Sequence, residues 1–296
     1  MGNNQYLSLG KSIISLGKIP VSLAVAYTAL AGNVMYSLAI DIKGILITLG
    51  VFFLSAGSAG FNQVQEKDTD RLMTRTKNRP VASGKISEKT GITISVGYFL
   101  TGLIILYNTG TLLSLMIAMF TVFWYNGIYT PLKKITPFAV FPGAIVGALP
   151  PLIGYTAAGG SLLVFPVLFL SVFLFMAQIP HFWLIIIKRA KEYSGSNILS
   201  VSQYLNQKQI KRLSIIWIIL LMIASFTLYP AGTIVTSTGN IFLILISGVL
   251  FIFLIYFDFI RKIKSEKFSF ILLNIYVFLI LSIIIAERVI IFKLYT

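Results

Sequence analysis

The chain has 296 residues, of which 57% are hydrophobic and 11% are charged, and its mean hydropathy is +0.89. This composition excludes a soluble globular domain and indicates an integral membrane protein. The formal net charge of +15 would suit a nucleic-acid-binding protein, but the basic residues are distributed as in a membrane protein. The chain contains no cysteine, which excludes disulfides, thiolate metal sites and haem attachment through a CxxCH motif.

Nine predominantly apolar stretches are long enough to cross a hydrocarbon core of about 30 Å. Because lipid cannot hydrogen-bond bare backbone groups, we predict helices here and not the short alternating strands of a barrel. The predicted spans are 12–38, 44–61, 91–107, 112–130, 137–158, 162–187, 213–230, 240–257 and 269–292. The prediction is an all-α membrane protein, one domain over 1–296, with nine transmembrane helices around a central cavity open to the cytoplasmic side.

The basic residues predict how these spans are oriented. All 24 lysines and arginines except Lys43, Arg288 and Lys293 lie near the N-terminus or in connections that follow even-numbered spans. Cytoplasmic loops carry such an excess of basic residues. We therefore expect a multi-pass protein of the cell (inner) membrane, surrounded by membrane lipid, with a cytoplasmic N-terminus and an external C-terminus. No nucleic-acid partner is expected.

The connection after the second span carries three of the nine acidic residues within five positions. If that span continues as a helix at about 100° per residue, Asn62, Glu66 and Asp70 form one stripe. Asp68 then points to another side of the helix. A stripe of oxygen donors suits Mg²⁺, whose coordination is usually completed by substrate phosphates and water.

Basic residues follow the acidic stripe along the same connection. Arg75 and Arg79 can hold phosphate oxygens in a bidentate fork. Acids that bind a metal, followed by bases that bind phosphate, predict a metal–diphosphate site. The alternative is a solvated loop whose charges neutralise one another, which explains less well why acids are concentrated at the end of a span in a chain that otherwise almost lacks them.

A second polar segment ends the sixth span, in the run QIPHFWLIIIKRAKEYSGSN at 178–197. It contains the only histidine, His181, and it ends with Glu192 and Tyr193 on the same predicted face of the membrane as Glu66. Two carboxylate-bearing helix ends facing one cavity could hold two metal ions on a leaving diphosphate. For His181, a functional role and a structural hydrogen bond to a neighbouring helix both remain open.

The end of the fourth span offers a third, weaker signal. Tyr129 and Lys133 are spaced i, i+4, which places a phenol and an ammonium on one face if this segment is helical. The lysine could then reach a phosphate. An aromatic and a basic residue that anchor the span at the membrane surface are the alternative.

Four motifs in register resemble those of the protoheme IX farnesyltransferases (haem o synthases), a branch of the UbiA-type intramembrane prenyltransferases. The motifs are NxxxExDxDxxMxRTxxRP from residue 62, YTxxKxxT from 129, GAxPPLIG from 147 and PHFW from 180. The resemblance runs from about residue 18 to residue 212, and nine helices agree with the family's architecture. It implies Mg²⁺-dependent transfer of a farnesyl group from farnesyl diphosphate to a vinyl group of haem b.

The resemblance also implies roles for individual residues. The metal ligands would be Asn62, Glu66, Asp68, Asp70 and Glu192. The diphosphate-binding bases would be Arg75, Arg79 and Lys133, and the residues near haem or the prenyl chain would be Tyr129, His181, Trp183 and Tyr193. The candidate catalytic residues are Asp70, Lys133 and His181, the last as an iron ligand or a base for water. Haem a synthase is a candidate partner.

The chain departs from the family pattern at two places. Glu66 and Glu192 stand where the family usually has aspartate, and Asn197-Ile198-Leu199 replaces a Gly-x-Pro turn next to the substrate cavity. The alternatives are therefore a UbiA-type enzyme that prenylates a quinone precursor or another aromatic acceptor, and a transporter in which His181 relays protons. A membrane scaffold would explain neither acidic motif.

Overall fold

The computed structural model describes residues 10–190, 199–256 and 265–295, and this part of the chain contains nine helical segments that are long and apolar enough to span a membrane. The predicted all-α, nine-span fold is therefore confirmed. The helices are α1 Ile19–Ser37, α2 Ile42–Gln65, α3 Lys67–Leu72, α4 Glu88–Thr109, α5 Leu112–Phe123, α6 Val140–Ala148, α7 Pro150–Ala158, α8 Phe165–Lys188, α9 Gln207–Ser225, α10 Ser237–Ile255 and α11 Ser265–Tyr295. A π-helix, Trp124–Tyr129, and a last turn, Thr130–Leu132, extend α5.

Capping side chains define where most spans begin. Asp41 accepts a hydrogen bond from the Gly44 amide at 2.7 Å and starts α2. Ser87, Thr111 and Thr236 cap α4, α5 and α10 in the same way. These caps satisfy amides that a helix leaves without an intrahelical acceptor, an important requirement at the edge of a membrane.

The first span differs from its predicted range. Residues 10–16 form a separate helical segment, and the chain turns at Gly17 and Lys18 before α1 begins at Ile19. Lys18 has a left-handed backbone with φ of 44°, and Pro20 lies in the first turn of α1, where its fixed φ favours helix initiation. Hydropathy alone does not register this break, because apolar residues continue on both sides of it.

The spans form a closed arrangement in the described part of the chain. Each span contacts the next one, and α11 contacts α1 as well as α8 and α10. The hydroxyls of Tyr27 on α1 and Ser282 on α11 are hydrogen-bonded at 2.8 Å. This arrangement brings the start of the first span and the ends of the second and fourth spans to one end of the bundle.

Helices α1 and α7 cross with their backbones almost in contact. A Cβ atom on Gly154 would lie 1.9 Å from the carbonyl oxygen of Ala29, and one on Gly32 would lie 2.0 Å from that of Pro151. Only glycine permits this approach, so these positions determine how closely the first and fifth spans pack.

Gly154→Ala is expected to lower the free energy of unfolding by about 1–3 kcal/mol, because the new methyl group overpacks a backbone contact that cannot yield. Thermal unfolding in detergent measures the effect. The matched control is Gly97→Ala on α4, where an added Cβ meets no atom within 4 Å. Equal melting temperatures for the two variants would contradict the close crossing.

Candidate active site

The acidic stripe predicted from the sequence forms where α2 ends. Glu66 is the single residue between α2 and α3, and the helical backbone pattern passes through it. The Glu66 amide donates to the Asn62 carbonyl at 2.9 Å, and the Asp70 amide donates to the Glu66 carbonyl at 2.7 Å. Asn62, Glu66 and Asp70 are all buried, as one shared face requires. Sequence periodicity therefore predicted their alignment correctly.

Asp68 lies off this stripe. Its side chain is 88% exposed and pairs with Arg71 at 3.5 Å. It belongs to α3, which begins at Lys67 after α2 has ended at Gln65. The structure does not bring Asp68 to the other acids, and its role as a metal ligand stays a prediction.

Glu66 is paired with the lysine at the end of the fourth span. The Lys133 ammonium lies 2.5 Å from Glu66 Oε1 and 4.6 Å from the centre of the Tyr129 ring. Tyr129 and Lys133 therefore face each other, as their spacing predicted. Burial by itself would raise the pKa of Glu66, but the charge and hydrogen bond of Lys133, together with the charges of Lys18 and Arg79, outweigh it and lower that pKa.

Asp70 is paired with an arginine from the loop that follows. Arg79 donates from one guanidinium nitrogen to both carboxylate oxygens of Asp70, each at 2.7 Å. The Thr76 hydroxyl donates to the Asp70 carbonyl oxygen at 3.0 Å and holds the loop against α3. Arg75, the other arginine predicted to bind diphosphate, is exposed.

Lys18 is a site residue that sequence reasoning missed. The turn before α1 places its ammonium in the electrostatic field of Arg79, Glu66 and Lys133. Burial, together with the charge of Arg79 and against an opposing contribution from Glu66, lowers the pKa of Lys18 to about 7. A bound anion would favour its charged form. Its position just before a proline-initiated span was an available signal, but we assigned its charge to topology.

The predicted haem-facing histidine, His181, belongs to α8, and its side chain packs against α11. The His181 ring is 4.7 Å from the Phe270 ring, and its side chain is hydrogen-bonded to Asn274. Both neighbours belong to α11, so the structural alternative for His181 is realised in this conformation. The side chain remains partly exposed, so this bond does not exclude contact with a substrate.

The residues after His181 connect this region to the ion pairs. Phe182 lies 6.2 Å from the Tyr129 ring, measured between ring centres. Trp183 is buried against Trp217 on α9, and its indole N–H has no hydrogen-bond partner among the described residues. His181 and Trp183 therefore point to different neighbours.

The second acidic motif lies outside the described residues. Glu192 and Tyr193 belong to 191–198, so their predicted roles stay predictions. The chain that follows returns to the site, because the Leu199 amide donates to the Lys133 carbonyl at 2.9 Å. The two long polar connections therefore meet at the same end of the bundle.

The acidic stripe provides few metal ligands by itself. Among the described residues, no group of three or more His, Cys, Asp or Glu side chains is arranged as a metal site. Two buried carboxylates and an amide nevertheless provide the oxygen ligands that Mg²⁺ prefers. Lysine and arginine neutralise these carboxylates, so the residues fit a metal that arrives with diphosphate better than a metal alone.

Sequence comparison gives a consistent picture. Residues 20–281 match the UbiA prenyltransferase family. The chain is 32% identical over 234 residues to the protoheme IX farnesyltransferase of Nitratidesulfovibrio vulgaris (strain DP4), covering 79% of this chain and 81% of that protein. It is 37% identical over 170 residues to the protein of the same name from Oleidesulfovibrio alaskensis, covering 57% of this chain and 60% of that protein.

Solved structures share the fold. A UbiA homologue from Archaeoglobus fulgidus bound to GPP and Mg²⁺ aligns with a TM-score of 0.68 and 14% identity, covering 94% of this chain and 99% of that one. A UbiA homologue from Aeropyrum pernix K1 aligns with a TM-score of 0.68 and 17% identity, covering 93% and 98%. Fold, matched length and the assembled acidic stripe agree, and the chain belongs to the UbiA prenyltransferase family.

Proposed function

We propose that this protein transfers a farnesyl group from farnesyl diphosphate to a vinyl group of haem b, producing haem o. The observation that carries the proposal is the similarity to proteins named protoheme IX farnesyltransferase, over 79% of this chain in one case. The buried cluster of paired acids and bases at one end of the bundle supports it, since departure of a diphosphate needs such a site.

The acids would bind the metal ion, and the bases would bind the diphosphate oxygens. Glu66 and Asp70, with the Asn62 amide, would hold Mg²⁺, which when bound neutralises charge on the leaving group. Lys133 and Arg79 would turn from these carboxylates to diphosphate oxygens, and Lys18 would join them. The pairs Glu66–Lys133 and Asp70–Arg79 hold these four side chains in position before the substrate arrives.

The acceptor side involves the region between α8 and α11. As the carbon–oxygen bond to diphosphate breaks, the terminal vinyl carbon of haem b forms the new carbon–carbon bond. Positive charge then develops on the carbon next to the macrocycle, where water adds and releases a proton. His181 is our candidate for contacting haem or accepting that proton, with Trp183, Tyr129 and Tyr193 as candidates for lining the cavity.

The proposal includes the location and orientation of the protein in the cell. We place the protein in the cell membrane as one domain, with its N-terminus in the cytoplasm and its central cavity open to that side. The clustering of Lys18, Glu66 and Lys133 at one end supports a single polar face. Haem a synthase, which would consume haem o, stays a predicted partner.

The decisive experiment is direct. Purified protein is incubated with haem b, farnesyl diphosphate and Mg²⁺, and the product is identified by mass spectrometry. We expect the mass of haem o, no product when EDTA removes the metal, and recovery when Mg²⁺ is returned. If an aromatic acceptor such as a quinone precursor is prenylated and haem b is not, the assignment of the acceptor is wrong and a prenyltransferase with another acceptor replaces it.

A further inference from the structure

Two amide side chains connect α2 to the π-helix beside the candidate active site. Gln65, the last residue of α2, donates from Nε2 to the Asn126 carbonyl oxygen at 2.9 Å. Asn126 donates from Nδ2 to Gln65 Oε1 at 3.2 Å and to the Ser58 carbonyl at 3.1 Å. Asn126 is 6% exposed. Each side chain thus binds the other's helix, and the contact is buried on the Asn126 side.

The backbone of the π-helix explains why a side chain is needed here. Its hydrogen bonds run from residue i+5 to residue i, and the Thr130 amide donates to the Tyr125 carbonyl. In that pattern the donor to the Asn126 carbonyl would be Pro131, which has no N–H group. Gln65 supplies the missing donor from another helix, so a buried carbonyl is satisfied only when the two elements are in this register.

The same two elements carry the ion pair of the active site. Gln65 immediately precedes Glu66, and Asn126 lies about one turn before Tyr129 and about two turns before Lys133. The hydrogen bond from Asn62 Nδ2 to Thr130 Oγ1, at 3.1 Å, is a further link between them. The amide pair therefore lies where a small change in register would separate Glu66 from Lys133.

We propose that Gln65 and Asn126 form a positioning clasp, which sets the register between the acidic stripe and the segment that carries Lys133. The clasp acts through Glu66 and Lys133 on the binding of the prenyl diphosphate, and it leaves the binding of haem b unchanged. This inference rests on the proposed function for its effect on substrate, but the register itself is a property of the protein alone.

The register is measured without substrate. Because the chain has no cysteine, spin labels can be attached specifically at two exposed positions, Leu72→Cys at the end of α3 and Ile135→Cys shortly after the turn Thr130–Leu132. In Gln65→Met and in Asn126→Leu, the distance distribution between the labels is expected to broaden or to shift by about 1.5 Å, the helical rise of one residue. The matched control is Asn108→Leu, whose side chain is exposed and donates to the Ile104 carbonyl on its own helix.

Binding is measured on the same variants by calorimetry with farnesyl thiodiphosphate and Mg²⁺. We expect the dissociation constant to rise about 10–100-fold in Gln65→Met and Asn126→Leu, with haem b affinity unchanged. The double variant should lose no more affinity than either single one, because both changes open the same clasp. A purely structural role would weaken the binding of both substrates alike.

The outcomes separate this inference from the proposed function. If the parent protein fails to bind farnesyl thiodiphosphate, the proposed function is wrong, and the label distances alone decide whether the clasp sets the register. If the parent binds it and either variant binds it equally well, the clasp has no positioning role. Distance distributions that superimpose on the parent in both variants also overturn it.

Discussion

Asp70→Asn is expected to reduce farnesyl transfer by about 10²–10³-fold, the usual loss when one group that stabilises charge at a reacting centre is removed. Asparagine keeps the shape of the side chain and one oxygen for Arg79, but it loses the negative charge that attracts a metal. Asp70 is 3% exposed and belongs to the buried stripe. The neighbouring Asp68 cannot replace its charge, because the Asp68 side chain is exposed and lies off the stripe. The measurement is the rate of haem o formation at saturating Mg²⁺.

The stability of this variant is measured in parallel, because Arg79 loses its buried partner. The double variant Asp70→Asn/Arg79→Gln removes both charges and is expected to recover the melting temperature without recovering activity. Glu88→Gln is the matched control, since it makes the same chemical change at an exposed carboxylate paired with Lys67. Asp68→Asn should lose less activity than Asp70→Asn. A rate near that of the parent for Asp70→Asn would contradict the metal assignment.

Lys133→Met is expected to lower kcat/KM for farnesyl diphosphate by about 10²-fold, mainly through a higher KM, because a phosphate-binding charge is lost. The neighbouring Lys134→Met is the control, since Lys134 is exposed and next in sequence. Steady-state kinetics with each substrate varied in turn separate the effect on diphosphate from the effect on haem b.

Exchanging the two charges distinguishes a structural ion pair from a substrate-binding one. Glu66→Lys/Lys133→Glu restores opposite charges across the 2.5 Å contact, so its melting temperature should exceed that of Lys133→Met. Its activity should stay as low, because the acid and the base then lie in the wrong places for metal and phosphate. Activity close to that of the parent would show that only the pairing matters, and the roles proposed for Glu66 and Lys133 would be wrong.

Much of the fold was predictable because lipid leaves few choices for a long apolar segment. The exceptions have local causes. The turn at Lys18 depends on one left-handed residue in front of Pro20, and a hydropathy average does not detect it. The π-helix Trp124–Tyr129 depends on side-chain donors from α2, which are distant in sequence.

The candidate site was predictable where its residues are close in sequence, and not where tertiary folding brings distant residues together. Asn62, Glu66 and Asp70 share one helix face, so their spacing predicted their alignment. The choice of Arg79 over Arg75 as the partner of Asp70 depends on how the loop folds back, which a charge pattern does not encode. Lys18 lies before the first span, far from Glu66 in the sequence, and only three-dimensional packing brings the two side chains close together.

The net charge of the paired acids and bases bears on how many metal ions can bind together with one diphosphate. Glu66 and Asp70 face Lys18, Arg79 and Lys133, so the fully charged cluster has one net positive charge. A prenyl diphosphate carrying a single Mg²⁺ keeps one net negative charge, which this cluster would balance. A second Mg²⁺ would bring excess positive charge into a buried volume, and an additional acid such as Glu192 would have to compensate for it. The charge of this cluster therefore links the number of metal ions per diphosphate to the acids that join Glu66 and Asp70.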